Sequence, residues 1–193
     1  MPEGMDRASF DSLVEAAFAA RDTEALGETH ALLIVHGGRI VHERYGEAFN
    51  AQSTHHSWSI AKSITHALVG ILVREGRIDA HAPADVPEWR NDARAAITLD
   101  HLLRMSSGLR FVEEYDPDGP ASDVIAMLFG KGKDDVAAYA ASLPLDHAPG
   151  TYWSYASGTT NIVSRIVSRA LGAQGPDFER FMAARLFEPL GIT

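Results

Sequence analysis

The chain has 193 residues, of which 46% are hydrophobic, 22% charged and none cysteine. It is long enough to bury a sizeable core and too apolar to remain disordered, and without cysteine it has no disulfide, thiolate metal site or cysteine nucleophile. A formal charge of −9 with no basic cluster argues against nucleic acid, and there is neither an apolar run of about 18 residues nor a secretion-type start, so the expected setting is cytoplasmic, with no membrane contact. Phe10, Leu13, Val14, Ala17 and Phe18 repeat at helical spacing and predict an amphipathic helix over about 6–20. Two strand-like runs, Ala31–Val35 and Arg39–Tyr45, flank Gly37-Gly38 and read as a β-hairpin, because both central turn positions need positive φ. From Ser59, the stripe Ile60, Ile64, Leu68, Ile71 and Leu72 predicts a helix closing near Gly76.

Residues 79–97 read as loop, with Pro83, Pro87 and Asn91-Asp92 as breakers. Thr98 is placed to cap a short helix stopped by Ser106-Ser107-Gly108, and Ser122 to cap another that ends at Gly130. A helix from about Asp134 ends before Pro144. After the loop 149–158 comes a strong stripe of Ile162, Val163, Ile166, Val167, Ala170 and Leu171, with Gly172 as C-cap. Asp177–Leu186 predicts one more helix. Two strands alone are marginal, so the hairpin must either pack on helices or find sheet partners elsewhere. The last residues, Phe187 to Thr193, do not read like an ending.

The chemistry begins with what is missing. No serine sits in a Gly-x-Ser-x-Gly elbow, and there is no phosphate-binding or dinucleotide-binding glycine pattern. Nine histidines form no metal-ligand spacing, so neither metal nor organic cofactor is expected. The positive signal is Ser59-Ile-Ala-Lys62, which sets both side chains on one face of a helix one turn apart. The chain uses 14 arginines and three lysines, yet places a lysine here. A lysine can lose its proton and act as a base where arginine cannot, and a serine hydroxyl needs such a base to become a nucleophile. The Ser59 N–H at a helix start could hold a developing oxyanion. On this motif alone, Ser59 as a capping serine and Lys62 as a solvated first-turn charge remain open. Tyr155, in a Gly-bounded loop before a helix, could carry the proton to a leaving group; packing on the core is the alternative. Trp58, Tyr152 and Trp153 flank the site as cleft wall or as core.

Four ordered blocks then resemble one family: Ser59-Ile-Ala-Lys62, Ile97–Gly108, Pro149–Asn161 and Leu186–Ile192. Together they look like the serine hydrolases of the class C β-lactamase family, which includes esterases, D-Ala-D-Ala carboxypeptidases and 6-aminohexanoate-dimer hydrolases. The resemblance implies an α/β fold: the N-terminal hairpin of an antiparallel sheet plus a helical subdomain, residues 1–193 being the N-terminal portion of one catalytic domain whose later strands are absent from this chain. It implies Ser59 as the acylated nucleophile, Lys62 as its base and Tyr155 as the proton relay, with Tyr115, Ser157 and Trp58 as candidates to contact substrate. The substrate would be a small ester or amide.

Two departures from the family pattern bear on function. Where β-lactamases carry Tyr-x-Asn, this chain has Tyr155-Ala-Ser157, which fits the esterase and 6-aminohexanoate-dimer hydrolase branch better; Ser157 is placed either to bond near Lys62 or to cap the next helix. No third motif of the Lys-Thr-Gly or His-x-Gly type follows Tyr155, and His36-Gly37-Gly38 lies in the hairpin turn. The alternatives are therefore an inactive fragment or non-catalytic binding module, or a true β-lactamase or D-Ala-D-Ala carboxypeptidase.

Overall fold

A computed structural model of the chain describes residues 4, 6–19, 27–116, 119 and 121–192. They divide into two units, residues 1–56 and 57–193. The first holds helix α1 (Arg7–Phe18) and the antiparallel strands β1 (Ala31–His36) and β2 (Arg39–Tyr45). Ala20, the last residue of the expected first helix, lies outside the described residues. Asp6 caps α1 by accepting from the Ser9 N–H at 3.0 Å. Gly37 and Gly38 take φ of 56° and 74°, the doubly left-handed turn that matches strand twist. A register shift falls between Ile34 and Val35.

Within this unit the hairpin packs on α1. Arg44 reaches Glu15 with both guanidinium nitrogens (2.7 and 3.2 Å) and lies 4.5 Å from the centre of the Phe18 ring. Phe10 meets His42 edge-on, and the Thr29 hydroxyl donates to the Ala17 carbonyl. Leu33, Val35 and Ile40 remain exposed.

The second unit is helical. Its elements are α2 (Ala61–Arg74), α3 (Leu99–Leu103), α4 (Asp123–Phe129), α5 (Val136–Ser142), α6 (Ser157–Leu171), α7 (Pro176–Met182) and α8 (Glu188–Leu190). Leu68, Val69, Ile71 and Leu72 of α2 and Ile162, Val163, Ile166 and Val167 of α6 are buried in one cluster with Trp89, Ile97, Leu102 and Met127. Each fully buried aliphatic side chain contributes about 1.5–3 kcal/mol, so these two stripes carry much of the unit. Gly76 and Gly172 adopt left-handed φ just past α2 and α6, ending both as expected.

Three expectations shift in detail. The helix expected from Ser59 begins as a 3₁₀ turn, Trp58–Ile60, so Ile60 drops out of the buried stripe and is exposed. The short helix after Thr98 ends at Leu103 because Met105 takes a left-handed φ of 56°. The helix expected over Asp177–Leu186 opens into a π turn at Ala183–Phe187; Pro189 has no N–H and its ring crowds the carbonyl four residues back, so a regular ladder cannot run through that turn.

Asp123 ties α4 and α5 to the loop ahead of them. Its Oδ1 accepts from the Tyr139 hydroxyl at 2.7 Å and its Oδ2 from the Val112 N–H at 2.9 Å, while the Val112 carbonyl accepts from the Asp123 N–H. Burial, then the bond to Asp123, push the Tyr139 phenol up from 10.0 to about 12. A folded-state value above the unfolded one gives stability that is complete below pH 10 and lost as pH rises towards 12. Tyr139→Phe is expected to remove this component: urea melts of parent and variant should differ most below pH 10 and converge towards pH 12. A difference independent of pH would contradict it.

Candidate active site

Ser59 lies in the 3₁₀ turn that feeds α2, and Lys62 on the first turn of the helix itself. The N-cap position of α2 is Ile60 and carries no side-chain cap, so Ser59 does not take the capping role left open for it. Its Oγ instead faces Lys62 Nζ at 3.0 Å. Trp58, immediately before it, has φ of +44°, a strained value for a bulky side chain that costs about 1–3 kcal/mol and gathers at functional sites. Trp58 is 83% exposed and stands at the surface beside Ser59.

Tyr155 and Ser157 arrive on the loop 149–156 and the first residue of α6. That loop is held by the block Ile97–Gly108. The Met105 carbonyl accepts from the Ser154 N–H at 2.9 Å and the Ser106 carbonyl from the Gly150 N–H at 2.8 Å. Thr98 and His101 close a capping box that fixes α3 below it. Gly158 sets the approach of α6: a Cβ there would stand 2.4 Å from the Phe111 ring.

At that junction Lys62 Nζ lies 3.2 Å from Ser157 Oγ and 4.9 Å from the centre of the Tyr155 ring. Lys62 is half-buried, not the solvated charge of the alternative reading. Ser157 does not cap α6 either; the N-cap position is Ala156, without a side-chain cap. Its hydroxyl donates to Glu113 Oε1 at 2.5 Å, and its backbone N–H donates to Glu113 Oε2 at 2.7 Å. Glu113 thus satisfies the helix end from another segment, where the N-terminal dipole favours a carboxylate. The structure brings Ser59, Lys62, Tyr155 and Ser157 together. Tyr115, by contrast, is 65% exposed and lines an open hollow of about 450 Å³ with Ile125 and Phe129.

Glu113 was not foreseen from the sequence. The available signal was Phe111, two positions earlier, which packs against Gly158 and so lays this segment along the start of α6. Among the described residues, no group of three or more His, Asp or Glu could hold a metal ion, and no helix is long and apolar enough to cross a membrane.

Ser59 and Lys62 at the start of α2 thus meet Tyr155 and Ser157 at the start of α6. The profile of the Beta-lactamase family matches residues 14–193; the chain belongs to that family and has its α/β fold. Among curated proteins it is 29% identical over 154 residues to 6-aminohexanoate-dimer hydrolase of Paenarthrobacter ureafaciens, covering 75% of this chain and 38% of that one. It is 26% identical over 210 residues to esterase EstB of Burkholderia gladioli, covering 97% and 52%. Among solved structures it resembles the octameric penicillin-binding protein homologue of Pyrococcus abyssi, with a TM-score of 0.61 and 18% identity over 97% of this chain and 43% of that one, a likeness of fold. The chain spans between 38% and 52% of the length of these two curated relatives.

Proposed function

We propose that residues 1–193 form the N-terminal portion of a single β-lactamase-like catalytic domain, and that it is a serine hydrolase for small esters or amides. The observation that carries this reading is the placement of Lys62 Nζ 3.0 Å from Ser59 Oγ, within reach for proton transfer. Lys62, as the neutral amine, takes the Ser59 proton while Oγ attacks the carbonyl carbon. The tetrahedral oxyanion is held by the Ser59 N–H. The carbonyl–leaving-group bond then breaks, and the leaving alcohol or amine takes its proton from Lys62 through Tyr155. Water, deprotonated along the same route, attacks the acyl-enzyme, releases the carboxylic acid and restores the Ser59 hydroxyl. No metal or organic cofactor enters the cycle.

Ser157 in place of an amide side chain two residues after Tyr155, and the names of the two relatives, support ester and linear amide substrates over β-lactams. Trp58 beside Ser59, and Tyr115 on the wall of the hollow it lines with Ile125 and Phe129, are the proposed substrate contacts. The expected result is turnover of p-nitrophenyl acetate that falls in proportion to the fraction of protein phosphonylated by a fluorophosphonate, with benzylpenicillin turned over more slowly than the ester. Ester turnover that survives complete phosphonylation would overturn the reading.

A further inference from the structure

We propose that Glu113 is a positioning residue that fixes the direction of the Ser157 proton and thereby keeps the lone pair of Lys62 available to Ser59. The inference rests on the serine-hydrolase reading of the same site. Ser157 Oγ stands between two partners, Glu113 Oε1 at 2.5 Å and Lys62 Nζ at 3.2 Å. A serine hydroxyl has one proton to give and lone pairs to receive. Glu113 Oε2 takes the Ser157 backbone N–H, which sets the carboxylate squarely at the end of α6 with Oε1 facing the hydroxyl. A carboxylate only accepts, so the Ser157 proton lies on the Glu113 side and a lone pair faces Lys62.

This orientation matters when Lys62 is the neutral amine. Such an amine has two N–H bonds and one lone pair. With Ser157 locked as acceptor, one N–H points to Ser157 and the lone pair is left for the proton of Ser59, 3.0 Å away. With Ser157 turned round, its proton would occupy that lone pair and Lys62 could not serve as base. Glu113 is itself held. The neighbouring Val112 is gripped through both its N–H and its carbonyl by Asp123, which is anchored on Tyr139.

Glu113→Gln tests the direction of the proton with little change in shape. The amide would give its oxygen to the Ser157 N–H and its NH₂ to Ser157 Oγ, releasing the hydroxyl proton towards Lys62. The rate constant for phosphonylation of Ser59 by a fluorophosphonate is expected to fall at least about tenfold, a fraction of what a general base contributes. In a Ser157→Ala background, where there is no hydroxyl to turn, the same Glu113→Gln change should alter the rate by less than about twofold. Ser157→Ala alone should label faster than Glu113→Gln. A Glu113→Gln variant that labels at the parent rate, or one whose loss is equally large without the Ser157 hydroxyl, would overturn the inference and leave the serine-hydrolase reading intact. A parent chain that takes no label on Ser59 would overturn that reading and this inference with it.

Discussion

Ser59→Ala is expected to lower ester hydrolysis and phosphonate labelling by at least about 10³-fold, because the variant has no oxygen to acylate and the rest of the site can then offer only binding and polarisation. Ser59 is exposed and caps no helix, so the loss should come without a change in thermal midpoint. Lys62→Arg is its companion. Arginine can still donate hydrogen bonds towards Ser59 and Ser157 but cannot give up its proton, so it removes the base while leaving a long basic side chain in place. Its activity should fall nearly as far as that of Ser59→Ala. The double variant should be little worse than either single one, since the two residues act as a unit. Activity in Lys62→Arg within tenfold of the parent would show that Lys62 is not the base.

The largest effect on stability is expected at Trp89. It is 1% exposed, the largest of the fully buried side chains, and its indole N–H donates to the Ala141 carbonyl at 2.8 Å. Trp89→Ala should cost about 3–5 kcal/mol, a large share of the stability typical of a domain, and lower the thermal midpoint by roughly 10–20 °C. Trp89→Phe separates packing from hydrogen bonding. The Ala141 carbonyl also receives Arg94 Nη1 at 2.9 Å, so it is not orphaned when the indole goes. The phenylalanine variant should therefore lose about 1 kcal/mol. Equal destabilisation by Ala and Phe in urea melts would contradict this division.

Much of this architecture could be read in the sequence because local signals agreed with the packing. The stripes of α2 and α6, the Gly37-Gly38 turn and the caps at Thr98, Ser122 and Gly172 each need only a few neighbouring residues to be recognised, and each forms where expected. The pair Ser59–Lys62 is legible for the same reason, since three residues on a helical path bring the two side chains together. Glu113 is different. Its partner is 44 residues away, and nothing local separates it from Glu114, which is exposed. The docking of Phe111 against Gly158 and the grip of Asp123 on Val112 together set which of the two acids meets α6. The strain at Trp58 and the π turn before Pro189 likewise come from how segments must join: one is set by the turn that presents Ser59, the other by a proline near the end of a helix that periodicity reads as continuous.

The most direct test is where a covalent probe lands. Cleavage after Arg44 and Lys62 releases residues 45–62, a peptide that carries Ser53, Ser57 and Ser59. After treatment of the chain with a fluorophosphonate, intact mass should show one added phosphonyl group, and fragmentation of that peptide should place it on Ser59. Label on Ser53, Ser57 or another peptide, or a chain that takes no label at all, would contradict the account.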